Sequence, residues 1–296
     1  MNSPRTPSPF TSYSWYLFPG VVLFLILFGV PLGLNVWQSF TAHTPHFLKS
    51  GEWVGLANYH QLFQDPSFLD SCLNLLLFTL FTSFLELGIA LGVSWYLNEF
   101  LKPSRWVETL LILPMFVIPV VSGLTFRYLM DPSDGPFAHL ALKWGLPFPS
   151  FLDHPASAFL LIVIQDVWRM WPFVFLIVHA GYLGVPKGQQ EAAKLEGASR
   201  SQRFWHVTLP YLIPSLVMAL VLKAIESLKA FTEVYVLTGG GPGDSTQLMS
   251  LYVVKQALVF LNLPMASAAS TVLFLAGAVV ALGFVVVKKR QRASSL

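Results

Sequence analysis

Apolar residues run in six long blocks, at about 15–40, 71–97, 107–130, 156–182, 208–231 and 264–287, separated by more polar stretches. Each block supplies the about 20 mostly apolar residues that cross a hydrocarbon layer about 30 Å thick at about 1.5 Å per helical residue. Leu, Phe, Val and Ile fill the blocks continuously, whereas outer-membrane strands would alternate apolar and polar at every second residue. The pattern predicts an all-α membrane protein with six transmembrane helices. Pro19, Pro31, Pro114, Pro119, Pro172 and Pro214 lie inside the blocks. They would break soluble helices, but in lipid they are tolerated where neighbouring helices satisfy the freed carbonyls. The first block is too long for a cleavable leader, contains Pro31 and lacks a small-x-small exit.

Composition removes the soluble alternatives. Of 296 residues, 54% are apolar and 11% charged, against roughly 25% charged in a soluble domain. A mean hydropathy of +0.61 leaves too few polar groups to cover a water-facing surface. Cys72 is the single cysteine, so no internal disulfide forms, and a net charge of +3 is too small to argue for nucleic acid. The placement of the cations says more. With the N-terminus inside, the inner segments hold Arg5, Lys102, Arg105, Lys187, Lys194, Arg200, Arg203, Lys288, Lys289, Arg290 and Arg292, while the outer loops hold only Lys49, Lys143 and Lys255. This bias sets orientation, so both termini are expected in the cytoplasm. Residues 1–14 and the basic 288–296 then read as tails around a single six-span domain, 15–287. The outer loops, about 41–70, 131–155 and 232–263, carry no sign of an independent domain.

The polar inner stretch 185–210 predicts local structure of its own. Pro186 suits a first helical turn, residues 187–196 are good helix formers, Gly197 can stop that helix, and Ser199 can cap a second short one. Glu196 and Arg200, four apart, can pair locally or meet a partner. Physical chemistry alone leaves two readings: an interfacial helix with Phe204 and Trp205 at the headgroups, or a docking element.

The same residues resemble the EAA loop of binding-protein-dependent ABC importer permeases. Glu191, Ala192, Ala193, Gly197, Ala198 and Val207-Thr208-Leu209-Pro210 match that pattern in order and spacing, with Glu196 where the family commonly has Asp. The resemblance covers roughly 15–290. Val54 to Tyr59, with Asp65, Phe68 and Asn74 following, looks like the first outer loop of the carbohydrate-uptake branch. Tyr235 to Gly243, with its run Gly239-Gly240-Gly241-Pro242-Gly243, looks like the outer loop after the fifth span in MalF-like permeases. The resemblance implies a type I ABC importer permease fold in a bacterial or archaeal cytoplasmic membrane. It implies as partners a second homologous permease, a dimer of ATPase subunits, an extracytoplasmic solute-binding protein and a sugar substrate. Glu191, Ala192, Ala193, Gly197 and Ala198 would couple to the ATPase, which would hold ATP and Mg; no cofactor is expected in this chain.

Ionisable side chains at membrane depth are costly and face a cavity or a partner. Asp166 and Arg169 lie three apart in the fourth span, while Lys223, Glu226, Ser227 and Ala230 share one helical face of the fifth. One reading makes Asp166–Arg169 and Lys223–Glu226–Lys229 intrahelical pairs filling a bundle interior. The other makes them a hydroxyl-binding path, with Trp168, Trp171 and Phe173 offering flat faces to sugar rings. By the resemblance, the path residues are Asp166, Arg169, Met170 and Phe173, then Lys223, Glu226, Ser227 and Ala230. Equal numbers of acids and bases favour a neutral polyhydroxylated ligand over a phosphate. Glu86, alone in the second span, reads either as a path residue or as a satisfied interior acid.

No G-x-x-x-x-G-K-[ST] phosphate cradle occurs, so this chain is not the motor. No clustered metal ligands or catalytic constellation appear either, which argues against an enzyme. The expected function is the permease subunit of an ATP-driven importer for a di- or oligosaccharide. Rival readings keep that architecture but carry glycerol phosphate or a polyol, or make the chain a secondary transporter with Asp166, Glu226 and Arg169 as an ion relay.

Overall fold

The computed structural model describes residues 9–43, 51–101 and 105–294. Arg5, Lys49 and Lys102, counted in the charge asymmetry, lie outside the described residues, as do 1–8 and 295–296 of the two expected tails. Among the described residues, five helices are long and apolar enough to cross a membrane alone: Tyr16–Gln38 (span 1), Pro66–Leu101 (span 2), Pro155–Leu183 (span 4), Arg200–Leu228 (span 5) and Leu263–Val285 (span 6). The helix of span 1 begins at Pro9 and that of span 6 continues to Ser294, so both reach into the stretches read as tails.

The third apolar block is not one helix, which corrects the expectation for 107–130. It forms Trp106–Phe116 and Pro119–Leu129, bent by 88° from each other. The cause is local. The ring of Pro119 excludes the α region for the residue before it, and Ile118 sits at φ −60°, ψ 136°, with Val117 at ψ 124°. Taken as one broken span, the pair completes the six. Other prolines are accommodated without a break. Pro31 and Pro210 each follow a widened π turn, Leu25–Gly29 and Phe204–Thr208, ending two residues earlier. The wider turn takes the i−4 carbonyl away from the pyrrolidine ring.

Span 4 occupies the centre, with Leu161, Ile162, Val163, Val174, Phe175 and Val178 all buried. Span 2 lies along it, contributing Leu75 and Phe78 to one apolar cluster and Ala90 and Leu97 to another. Span 1 is peripheral. It exposes Leu, Phe and Val along its length, as a helix facing lipid tails would, and meets span 6 where Asn35 donates to Thr271 Oγ1 at 3.3 Å and accepts from Ser270 at 3.0 Å.

The first outer segment matched by resemblance packs onto the stretch that follows the second. Asp65 caps span 2 by accepting from the Ser67 amide at 2.9 Å, and its other oxygen accepts from the Tyr252 hydroxyl at 2.6 Å. Phe68 meets the Tyr252 ring edge-on at 5.4 Å. Asn74 donates to the carbonyls of Asp244 and Gln247, at 3.3 and 3.1 Å, and the Gln247 amide donates to Ser67 and Ser71. Gly240 makes the loop possible: its φ is +91°, and a Cβ there would lie 3.0 Å from Leu251 Cδ2. Asp65→Ala should therefore lose a helix cap worth about 1 kcal/mol and a charge-assisted hydrogen bond worth about 2 kcal/mol. Thermal unfolding of the purified chain should show a lowered midpoint, with Asp65→Asn affected less.

Candidate functional site

Spans 4 and 5, the start of the helix Pro119–Leu129 and the short helix Thr232–Leu237 enclose a half-open cavity of about 170 Å³. Seven of the eight expected path residues line it: Asp166, Arg169, Met170, Lys223, Glu226, Ser227 and Ala230. Pro119, Lys229, Thr232 and Glu233 join them. Pro119 reaches the lining because span 3 breaks beside it. Phe173 is not brought there. It shares a helical face with Asp166 but lies about 10 Å further along the axis, packed on the cluster around Ala90, Val174 and Ala219. The flanking indoles do not line it either. Trp168 lies against Phe126 at 5.6 Å and Trp171 against Phe175 at 5.9 Å.

The charges form a chain across elements. Lys223 Nζ stands 2.7 Å from Glu86 Oε1 on span 2 and 2.5 Å from Asp166 Oδ2 on span 4. Arg169 then bridges Asp166 at 3.6 Å and Glu233 at 3.2 Å. The order Glu86–Lys223–Asp166–Arg169–Glu233 thus ties spans 2, 5 and 4 to the helix after span 5. Of the alternative reading that made Lys223–Glu226–Lys229 an intrahelical run, the structure keeps the pair Lys229–Glu226, at 2.6 Å, on a solvent-open rim. Lys223 is 2% exposed, and an ammonium so buried needs carboxylates at its own depth. Glu86, fully buried, satisfies that need from behind the cavity. Its signal in the sequence was a solitary acid in an apolar helix; Glu233 had no comparable signal, because its partner Arg169 is on another element. The lining carries three carboxylates and three cations, and Glu86 adds a fourth carboxylate at its back.

The stretch 185–210 forms a connector between spans 4 and 5. Pro186 occupies the position before the helix Lys187–Leu195, which buries none of its residues. Glu191 and Ala192 face outward, Ala193 and Ala198 are half-buried, and Leu195 is 90% exposed. Gly197 ends the helix at φ +83°, a conformation that side chains with a Cβ rarely adopt. Ser199 and Gln202 then form a reciprocal capping box that starts the helix leading into span 5. Arg200 turns to Glu99, at 3.9 Å, rather than to Glu196.

A multi-span bundle with a charged cavity and an exposed connector defines a membrane transport subunit as the class. Residues 75–292 match the family described as binding-protein-dependent transport system inner membrane component, and the chain belongs to that family. It is 32% identical over 276 residues to the sn-glycerol-3-phosphate transport system permease protein UgpA of Brucella abortus, covering 93% of this chain and 94% of that one. It is 34% identical over 235 residues to the trehalose/maltose transport system permease protein MalF of Thermococcus litoralis, covering 79% of each. The fold superposes on a chain of a bacterial ABC transporter involved in import of the acidic polysaccharide alginate, with TM-score 0.81 at 21% identity over 94% of this chain and 96% of that one. The architecture is therefore that of a type I ABC importer permease, and these relatives are transport permeases rather than enzymes.

Proposed function

We propose that this chain is one permease subunit of an ATP-driven importer that carries a neutral polyhydroxylated solute, a di- or oligosaccharide, across a cytoplasmic membrane. The observation that carries the reading is the cavity, whose lining matches three carboxylates with three cations and so offers no net positive charge to a phosphate. Carboxylates accept from sugar hydroxyls, while guanidinium and ammonium groups donate to hydroxyl and ring oxygens. At about 170 Å³ the cavity is smaller than the roughly 300–1,000 Å³ of a complete ligand pocket. That size suits a half-site, completed by a second, homologous permease. Asp166, Arg169, Met170, Lys223, Glu226, Ser227 and Ala230 are the contact residues on this side.

The connector supplies the coupling. Glu191, Ala192, Ala193, Gly197 and Ala198 would rest on a separate ATPase dimer that holds ATP and Mg, with a solute-binding protein delivering cargo on the opposite face. The cation bias supports a connector and termini that face the cytoplasm. The names of the UgpA relatives favour one second reading, glycerol phosphate as cargo, on the same architecture.

Gentle purification from the native membrane should bring down an ATPase and a second six-span subunit. Uptake by that complex should be competed by neutral sugars and not by sn-glycerol 3-phosphate; the reverse pattern establishes the second reading. Transport by the chain alone, in liposomes under an ion gradient, would make it a secondary transporter. Glu191→Ala should insert normally yet lower uptake per ATP hydrolysed at least tenfold, measured in proteoliposomes. Unchanged uptake would remove the connector from the coupling.

A further inference from the structure

We infer that Glu99, at the connector end of span 2 and outside the EAA pattern, is a positioning residue that makes span 2 move with the connector. The inference rests on the reading of that connector as the contact for a separate ATPase. Both Glu99 oxygens accept from Arg203 Nη2, at 3.3 and 3.0 Å, and Arg200 Nε lies 3.9 Å from the second oxygen. Arg203 also donates through Nη1 to the Ala198 carbonyl at 3.1 Å, so one guanidinium holds the connector turn and span 2 together. Arg200 covers the ring of Phe100 at 4.5 Å, and Phe204 meets Trp95 at 5.7 Å. The pair is shielded: the Glu99 and Arg203 side chains are 18% and 13% exposed. Charge-assisted hydrogen bonds are among the stronger polar contacts.

The rest of the connector is loosely held, since the helix Lys187–Leu195 buries nothing. Its displacement reaches span 5 through the backbone, because Arg200–Thr208 runs straight into that helix. It reaches span 2 through Glu99. Span 2 then extends thirteen residues, about 20 Å, to Glu86, which grips Lys223 of span 5 beside the cavity. Spans 2 and 5 are therefore fastened at two levels, Glu99–Arg203 at the connector and Glu86–Lys223 at the cavity. Without the Glu99–Arg203 fastening, the connector can shift while span 2 stays behind, so Lys223 moves with its own span 5 and Glu86 does not follow it. A paired exchange of the two charges tests this coupling.

In the purified transporter with all its subunits, Glu99→Gln, Arg203→Gln and the exchange Glu99→Arg with Arg203→Glu are compared for two quantities. These are the amount of ATPase subunit retained and the solute taken up per ATP hydrolysed. Each single variant should retain the ATPase but lower uptake per ATP at least fivefold, and the exchange should recover at least half of the loss. A purely structural contact would instead change retention and leave the ratio alone. Glu191→Ala serves as the reference: if it keeps the normal ratio, the coupling reading of the connector fails. If Glu191→Ala uncouples while Glu99→Gln keeps the normal ratio, the role of Glu99 alone is overturned. Singles that lose the ratio with an exchange that recovers none of it, or an exchange that does not assemble, also overturn it.

Discussion

Lys223→Met should abolish the accumulation of folded protein, and adding Glu86→Gln should restore a large part of it. Lys223 is the single cation in contact with Glu86 among the described residues, and it shares Asp166 with Arg169. Removing it leaves Arg169 alone against three carboxylates, two of them at most 2% exposed. Breaking a buried pair by deleting one partner costs about 3–5 kcal/mol, because the surviving charge is left without compensation. That is a large share of the total stability of an ordinary domain, about 5–15 kcal/mol. Glu86 suffers most, since Asp166 keeps Arg169 at 3.6 Å. Neutralising Glu86 in the Lys223→Met background removes the worst of the imbalance, so the two changes should be strongly non-additive. Yield and thermal midpoint of the purified chain in detergent measure the effect. A Lys223→Met protein as stable as the parent would mean that these carboxylates do not depend on the ammonium. On the proposed reading of the cavity, the double variant should fold yet fail in uptake, because Lys223 is one of the proposed solute contacts.

What could be read from the sequence divides by the range of the interactions involved. The spans were legible because a membrane imposes length and apolarity on each segment independently. The connector was legible because its structure is local: Gly197 stops a helix and Ser199 caps the next within three residues. The break in span 3 was not, because prolines sit in five of the six apolar blocks and only Pro119 stands at a break. Pro172 and Pro214 remain inside continuous helices. Helical spacing likewise put Lys223 with Glu226, whereas the fold puts it with Glu86 and Asp166, far away in the chain. Spacing reports which residues share a face; it does not report what that face meets. Phe173 shows the same limit in the other direction, with the right face but the wrong depth for the cavity.

Gly181→Val should separate spans 4 and 5 at the level of the connector and lower stability by about 1–3 kcal/mol, the usual cost of overpacking a close contact. A Cβ on Gly181 would fall 2.7 Å from Ser215 Cβ, closer still to its Oγ, and 3.3 Å from Leu212 Cδ2. Leu212 is fully buried and cannot give way easily, and small residues at such crossings are what allow two backbones to approach. Valine adds two further methyl groups to that clash. The site is the neck of the connector: span 4 ends at Leu183, and the connector re-enters span 5 through Thr208 and Leu209. Widening the neck changes the distance the connector must bridge, so uptake should fall more than stability alone explains. The reciprocal swap discriminates. Gly181→Ala combined with Ser215→Gly removes the hydroxymethyl group from one helix and places a methyl group on the other, and should recover both the thermal midpoint and uptake, whereas Gly181→Ala alone should recover neither. Equal behaviour of the single and the double variant would show that the two helices do not bear on each other here, and that the connector is spaced by its own helices instead.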